Sequence, residues 1–187
     1  HVASIAAGRP NTFGSTTPDT TGIAPNANLY DVKVLNDSGY GTLSDTLEGI
    51  QWAIYNAKTY NIRVLNISLA AASTDSWQID PLCAAVRSAT AAGITVVVAA
   101  GNYSKDANGN IVYGSIAAPG NDPTVITVGS LNTKGTADRG DDTINAFSSR
   151  GPTRSSYIDG LGVRRVDNLL KPDLVAPGNA IIGAAAT

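Results

Sequence analysis

The sequence has no methionine, one cysteine and one histidine in 187 residues. With Cys83 alone there is no internal disulfide and no cysteine-rich metal site. Translation begins at Met, so a chain opening on His1 reads as processed or as a segment of a longer protein. Any signal peptide would have been lost with the start, and its absence carries no information about secretion. Charge is sparse at 15%, with Lys plus Arg 13 against Asp plus Glu 15 and a net charge of -2. The only adjacent basic pair is Arg164-Arg165, so nothing points to nucleic acid or to an anionic membrane. No apolar run approaches the ~20 residues that span a bilayer. What is present is 43% hydrophobic residues in a chain of single-domain length, enough for a sizeable core.

The apolar residues are grouped in strand-length runs separated by helical spacing. Asn28–Leu35, Arg63–Leu69, Val96–Ala100 and Val125–Gly129 read as strands, and Ile144–Ser148 as a shorter one. His1–Ala7 reads as a small-residue helix ended by Gly8, and residues 9–22 as a loop. Leu43, Leu47, Ile50 and Ile54 recur at helical spacing behind a Thr42/Asp45 capping-box pattern. Pro81 follows an Asp80 cap, Leu82, Val86 and Ala89 share a face, and Gly93 stops that helix. Strands alternating with helices predict an α/β fold: a doubly wound parallel sheet with right-handed crossovers and helices on both faces. Residues 103–123, 132–143 and 153–169 are polar excursions, and Lys171–Gly178 is a Pro-framed segment.

The chain is organised around Val96-Val97-Val98-Ala99-Ala100-Gly101-Asn102. An unbroken apolar run predicts a strand covered on both faces. Asn102 then stands at the carboxyl end of a central strand, where open α/β sheets bind ligands. An amide there can donate to an oxygen that gains charge during a reaction. A buried strand closed by an ordinary Gly-Asn turn accounts for the heptad taken alone. Gly39-Tyr40-Gly41-Thr42-Leu43-Ser44 is a partial dinucleotide fingerprint, but Ser44 replaces its third glycine and Asn61 and Arg63 stand where an acid is needed. The same glycines suit an edge that pairs with an extended peptide. Asp106-Ala107-Asn108-Gly109-Asn110 spaces oxygen side chains like a calcium loop but has no downstream acid, so a hairpin turn is preferred. His1 reads as a surface or capping group and Cys83 as packing.

Taken together, several stretches resemble the subtilisin-like serine proteases (subtilases). His1-Val2-Ala3 resembles the end of H-G-T-H-V-A, and Gly22-Ile23-Ala24-Pro25 resembles G-V-A-P. Lys33–Leu35, Asn66–Leu69, Val98–Asn102, Val125–Gly129, Phe147–Pro152 and Lys171–Gly178 match family stretches in order. The resemblance implies a serine endopeptidase fold in which Asn102 is the oxyanion-hole asparagine. Ala99, Ala100 and Gly101 then form one wall of the pocket for the residue before the cut, and Ser68, Leu69 and Ala70 the opposite wall and a substrate-pairing strand. Gly39, Tyr40 and Gly41 match the second pairing strand. Ala70 and Ala117 stand where the family often has glycine, implying a narrower, shallower pocket. Carbonyls near Gly120, Asp122 and Val125 resemble a weak cation site, so calcium is possible although no cofactor is required. Pro119-Gly120 matches a turn with a cis proline, so Ala118-Pro119 is expected to be cis.

One departure matters. His1 is followed by Val2-Ala3 rather than Gly-Thr, so it matches the motif's second histidine and not the catalytic one. No residue here matches the triad Asp, His or Ser, which run in that order in this family. The expectation is therefore one partial peptidase domain over residues 1–187, lying between the catalytic His and the catalytic Ser and inactive alone. Its partners would be a polypeptide substrate and a possible pro-segment, with no nucleic acid or membrane, and its location extracellular by resemblance. The alternatives are a non-catalytic peptide-binding subtilase-like segment or pseudoenzyme and, more distantly, an α/β nucleotide-binding module.

Overall fold

A computed structural model describes residues 1–10 and 21–184. The loop expected at 9–22 lies largely outside the described residues. The chain divides into a unit of His1–Lys33 with Ala180–Thr187 and a larger unit of Val34–Asn179.

In the first unit α1 (Val2–Ala7) begins at His1, and the N–H groups of Gly22, Ile23 and Ala24 donate to the carbonyls of Gly8, Ile5 and Ala6. Gly8 follows the helix as expected but at φ -57, so its backbone is not in the left-handed form of a usual glycine stop. His1 Nε2 lies 3.0 Å from the Ile181 carbonyl.

The larger unit is built on a mostly parallel five-stranded sheet. Its first strands are β1 (Val64–Ile67), β2 (Thr95–Ala99) and β3 (Ile126–Asn132). β2 pairs in parallel with β1 on one side and β3 on the other, so it is central, as the apolar run predicts. The two-residue β4 (Thr143–Ile144) lies antiparallel to the far end of β3, and β7 (Leu174–Pro177) runs parallel to it. The Pro-framed segment is thus a sheet strand, its register set by Val128↔Leu174. Between β4 and β7 the polar stretch folds into a hairpin of β5 (Ser156–Ile158) and β6 (Arg164–Val166).

Of the two long helices, α2 (Leu43–Asn56) precedes β1 and α3 (Pro81–Ala91) connects β1 to β2. In α2 the expected capping box forms: Thr42 Oγ1 accepts from Asp45 N at 3.1 Å and Asp45 Oδ2 accepts from Thr42 N at 3.0 Å. The Asp45 carboxylate also accepts from Thr42 Oγ1 at 2.7 Å; this bond first, and the one from Thr42 N second, hold the carboxyl below its ordinary range. α3 is capped by Asp80 Oδ1, which accepts from Leu82 N and Cys83 N. It ends in a Schellman motif: Gly93, at φ +85, donates to Thr90 O and Ile94 donates to Ala89 O. Ile50 of α2, Leu82, Val86 and Ala89 of α3, and Val96 and Val98 of β2 form one buried cluster with Ile67, Ile94 and Val125. Both helices therefore cover the β2 face that carries Val96 and Val98; Val97 and Ala99 are half-buried.

Two expected strands differ. Asn28–Leu35 forms none among the described residues; a strand needs a neighbouring backbone to complete its ladder, and β1 pairs only with β2 in this sheet. Ile144–Ser148 shrinks to Thr143–Ile144, because the chain turns at once: Ser148 N donates to Asn145 O and Asn145 Nδ2 to Ser130 Oγ. The Ala118-Pro119 bond is cis, as expected, and so are Gly151-Pro152 and Lys171-Pro172.

Candidate functional site

The carboxyl ends of β1 and β2 define the site. Ile67 and Val98 are partners across the ladder, so Ser68 follows the end of β1 beside Ala99, the last residue of β2, which still pairs with Val128. Ala100 is held flat by two backbone bonds, donating to Val128 O at 2.9 Å and accepting from Ala117 N at 3.0 Å. The chain then breaks sharply at Gly101, whose φ is +102. A side chain there would meet Ala117 Cβ and Ser149 Oγ, each at 2.9 Å. Backbone conformation and space both require glycine at this position.

Ser149 locks the turn from the other side. Its N–H donates to Gly101 O at 2.9 Å, and its buried Oγ accepts from Tyr103 N at 3.0 Å. These bonds fix both neighbours of Asn102. The Asn102 side chain itself is exposed and has no hydrogen-bond partner among the described residues. A carboxamide so placed has two N–H groups available for an oxygen arriving at the sheet end.

The other site residues follow from the same frame. Ser68 is exposed, its Oγ accepting from Asn66 Nδ2 at 2.8 Å; Leu69 and Ala70 are half-buried. The next residue, Ala71, exchanges both backbone hydrogen bonds with Ala118. This bridge ties the segment after β1 to the segment carrying Ala117, and Ala117 is buried against Gly101. Ser68–Ala70, Ala99–Asn102 and Ala117 thus come together through the ladder, the bridge and this contact.

Gly39, Tyr40 and Gly41 lie in a turn rather than a strand. Asn36 Oδ1 accepts from Ser38 N and Tyr40 N, Gly39 has φ +80, and Tyr40 projects with 76% of its surface exposed. A Cβ on Gly41 would strike Val34 O at 2.2 Å. The turn leads directly into α2, which precedes β1 in the chain.

Gly120, Asp122 and Val125 lie between the cis proline and β3. Thr127 Oγ1 donates to Gly120 O at 2.7 Å. Asp122 is fully buried; its Oδ2 accepts from Arg87 Nη1 at 2.5 Å and its Oδ1 from Thr124 N and Oγ1. Val125 O accepts from Lys171 Nζ at 2.8 Å, and Lys171 also pairs with Asp173 at 2.6 Å. Burial acts to raise the Asp173 carboxyl, but bonds from Lys171 and Thr127 outweigh it and hold it below the ordinary range.

Cys83 is fully buried and its thiol donates to Asn121 Oδ1 at 3.1 Å. Burial, reinforced by Asp80 and Asp122, pushes the thiol far above its ordinary range, so it stays protonated and inert. The calcium-like loop is a hairpin turn: Asp106 Oδ1 accepts from Asn108 N and Asn110 N, Gly109 has φ +82, and Lys105 bridges Ile111. Among the described residues no helix is long and apolar enough to cross a membrane.

A family model described as the subtilase family matches residues 1–187. The chain belongs to the subtilase family. This subtilase is 45% identical to serine protease AprX of Bacillus subtilis over 166 residues, covering 86% of the chain and 34% of AprX. It is 39% identical to subtilisin DY of Bacillus licheniformis over 132 residues, 71% of the chain and 42% of the relative. Among solved structures it resembles the S41 psychrophilic protease (31% identity, TM-score 0.62, 86% of this chain and 46% of that one). It also resembles sphericase (27%, TM-score 0.65, 88% and 47%). The subtilase chain therefore spans between a third and a half of the length of these four proteins. Ser149 and Lys171 are the two side chains whose roles the sequence did not disclose. Each lies in a recognised stretch, Phe147–Pro152 and Lys171–Gly178, but neither stretch says what its polar side chains touch.

Proposed function

We propose that this chain is the central segment of a serine endopeptidase domain and that Asn102 donates to the oxyanion of the tetrahedral intermediate. The observation that carries the reading is the exposed Asn102 amide, unpartnered among the described residues and fixed beyond the central parallel strand by Gly101 and Ser149. A donor held in place before the reaction loses nothing to reorganisation as charge develops on the carbonyl oxygen. An extended polypeptide would lie between Ser68–Ala70 and Gly39–Gly41, pairing through backbone groups. Its side chain before the scissile bond would enter between Ala99–Gly101 and Ser68–Ala70, with the Ala117 methyl at the floor. Methyl groups at Ala70 and Ala117 favour a side chain of modest size.

The nucleophilic serine, its base and the orienting carboxylate would come from outside these residues. The serine attacks the scissile carbonyl, its proton passes to the base, the amine leaves with that proton, and water releases the acyl group. Ser149 is unsuited to this task because it is buried and spends its Oγ on Tyr103 N. Isolated, the 187 residues are expected to hydrolyse no peptide bonds above background. By the family likeness, the intact protein is expected to act outside the cell.

The test uses the intact protein, an unfolded protein substrate and a serine-directed phosphonate probe. Hydrolysis that the probe abolishes, with no labelled serine among residues 1–187, is the expected result. Peptide binding without cleavage would identify a pseudoenzyme, and a labelled serine within this chain would overturn the assignment.

A further inference from the structure

We infer that the Lys171 ammonium is the resident cation between β3 and β7, taking the place of the metal ion suggested by the carbonyls near Gly120, Asp122 and Val125. Carbonyl and carboxylate oxygens suit a hard metal ion. They equally suit an ammonium, which has three donors and no acceptor. Here two of the three candidate carbonyls, and the carboxylate beside the third, are engaged by groups of the chain itself. Val125 O takes Lys171 Nζ at 2.8 Å, Gly120 O takes Thr127 Oγ1 at 2.7 Å, and the Asp122 carboxylate is divided between Arg87 and Thr124.

Charge and position agree with this assignment. The Lys171 side chain is only 4% exposed, so its ammonium needs charge-assisted partners. Asp173 supplies one at 2.6 Å and itself accepts from Thr127 N at 2.7 Å. Lys171 stands just ahead of β7 and Val125 just ahead of β3, so the ammonium links the starts of two neighbouring parallel strands. A metal ion on the second lone pair of Val125 O would lie within a few ångströms of a buried positive charge, where repulsion is poorly screened. A tethered ammonium, unlike a bound ion, is not lost by dilution or chelation.

The test compares the intact protein with its Lys171→Ser variant in thermal melts. Potassium, sodium and calcium chlorides are each set against choline chloride at matched ionic strength. In choline the variant is expected to melt about 10 °C lower, because Asp173 and Val125 O lose their partner. A small cation should then recover about 5 °C or more in the variant and much less in the unaltered protein. Ion sites elsewhere cancel in this comparison. Equal responses, or a larger response in the unaltered protein, would overturn the inference. If Lys171→Ser folds in no medium, thallium-soaked crystals of the unaltered protein decide: no anomalous density in contact with Val125 O supports a resident ammonium, and a peak there refutes it.

Discussion

Gly101→Ala is the substitution whose cost can be worked most directly from the structure. At φ +102 an alanine stands outside the conformations that L residues adopt readily, a strain of ~1–3 kcal/mol. Its methyl would also lie 2.9 Å from both Ala117 Cβ and Ser149 Oγ. Neither neighbour is the free end of a flexible chain: Ala117 is pinned by its bond to Ala100 O, and Ser149 by bonds to Gly101 O and Tyr103 N. Relieving such an overlap in a packed region costs a further ~1–3 kcal/mol. The total of ~2–6 kcal/mol corresponds to a melting point lower by roughly 5–20 °C. Gly39→Ala is the control, because it carries a comparable φ of +80 but would meet nothing within 4 Å. It should lose only ~1–2 kcal/mol, a few degrees. The assay is a thermal melt of the intact protein by circular dichroism, paired with kcat/KM on a peptide substrate. Gly101→Ala should lose activity as well as stability, because its relief moves Asn102; Gly39→Ala should lose less stability. If the two variants melt alike, the packing argument at Gly101 is wrong.

Two further outcomes follow from the polar groups around the sheet. Arg87→Met should destabilise by ~3–5 kcal/mol, because it strands the fully buried Asp122 carboxylate; denaturant melts check this, and Asp122→Asn in the same background should recover part of the loss. Asp173 has a folded pKa below its ordinary value of 3.8, so its contribution is complete above that value and is lost as pH falls through the lower, folded one. The difference in melting point between the unaltered protein and Asp173→Asn should therefore shrink as pH drops from about 5 to about 2, and a difference that grows would contradict the assigned partners.

The parts of the fold legible in the sequence are those written in local pattern. The α2 capping box, the Asp80-Pro81 start of α3 and the Gly93 stop are interactions between residues a few positions apart, and all three form as read. Val96–Ala100 is recognisable because it is continuous and apolar. Leu174–Pro177 is not, because two prolines frame it and only pairing with β3 makes it a strand. Asn28–Leu35 shows the converse: its alternation suits a strand, but no ladder forms on it among the described residues. At the site, Asn102 stands out through its position after the apolar run. Ser149 and Lys171 do not, because their significance lies in partners 46 positions away, Tyr103 and Val125.

The central claim concerns Asn102, and Asn102→Leu in the intact protein tests it most directly. The change removes the amide and keeps a side chain of similar size at an exposed position, so folding should be little affected. An interaction stronger with the oxyanion than with the ground-state carbonyl appears in kcat and not in KM. Loss of one such donor in a subtilisin costs ~10²–10³ in kcat, a magnitude taken from that relative rather than worked from this structure. A fall in kcat of that order at nearly constant KM is the expected result. An unchanged kcat, or a loss carried entirely by KM, would contradict the account.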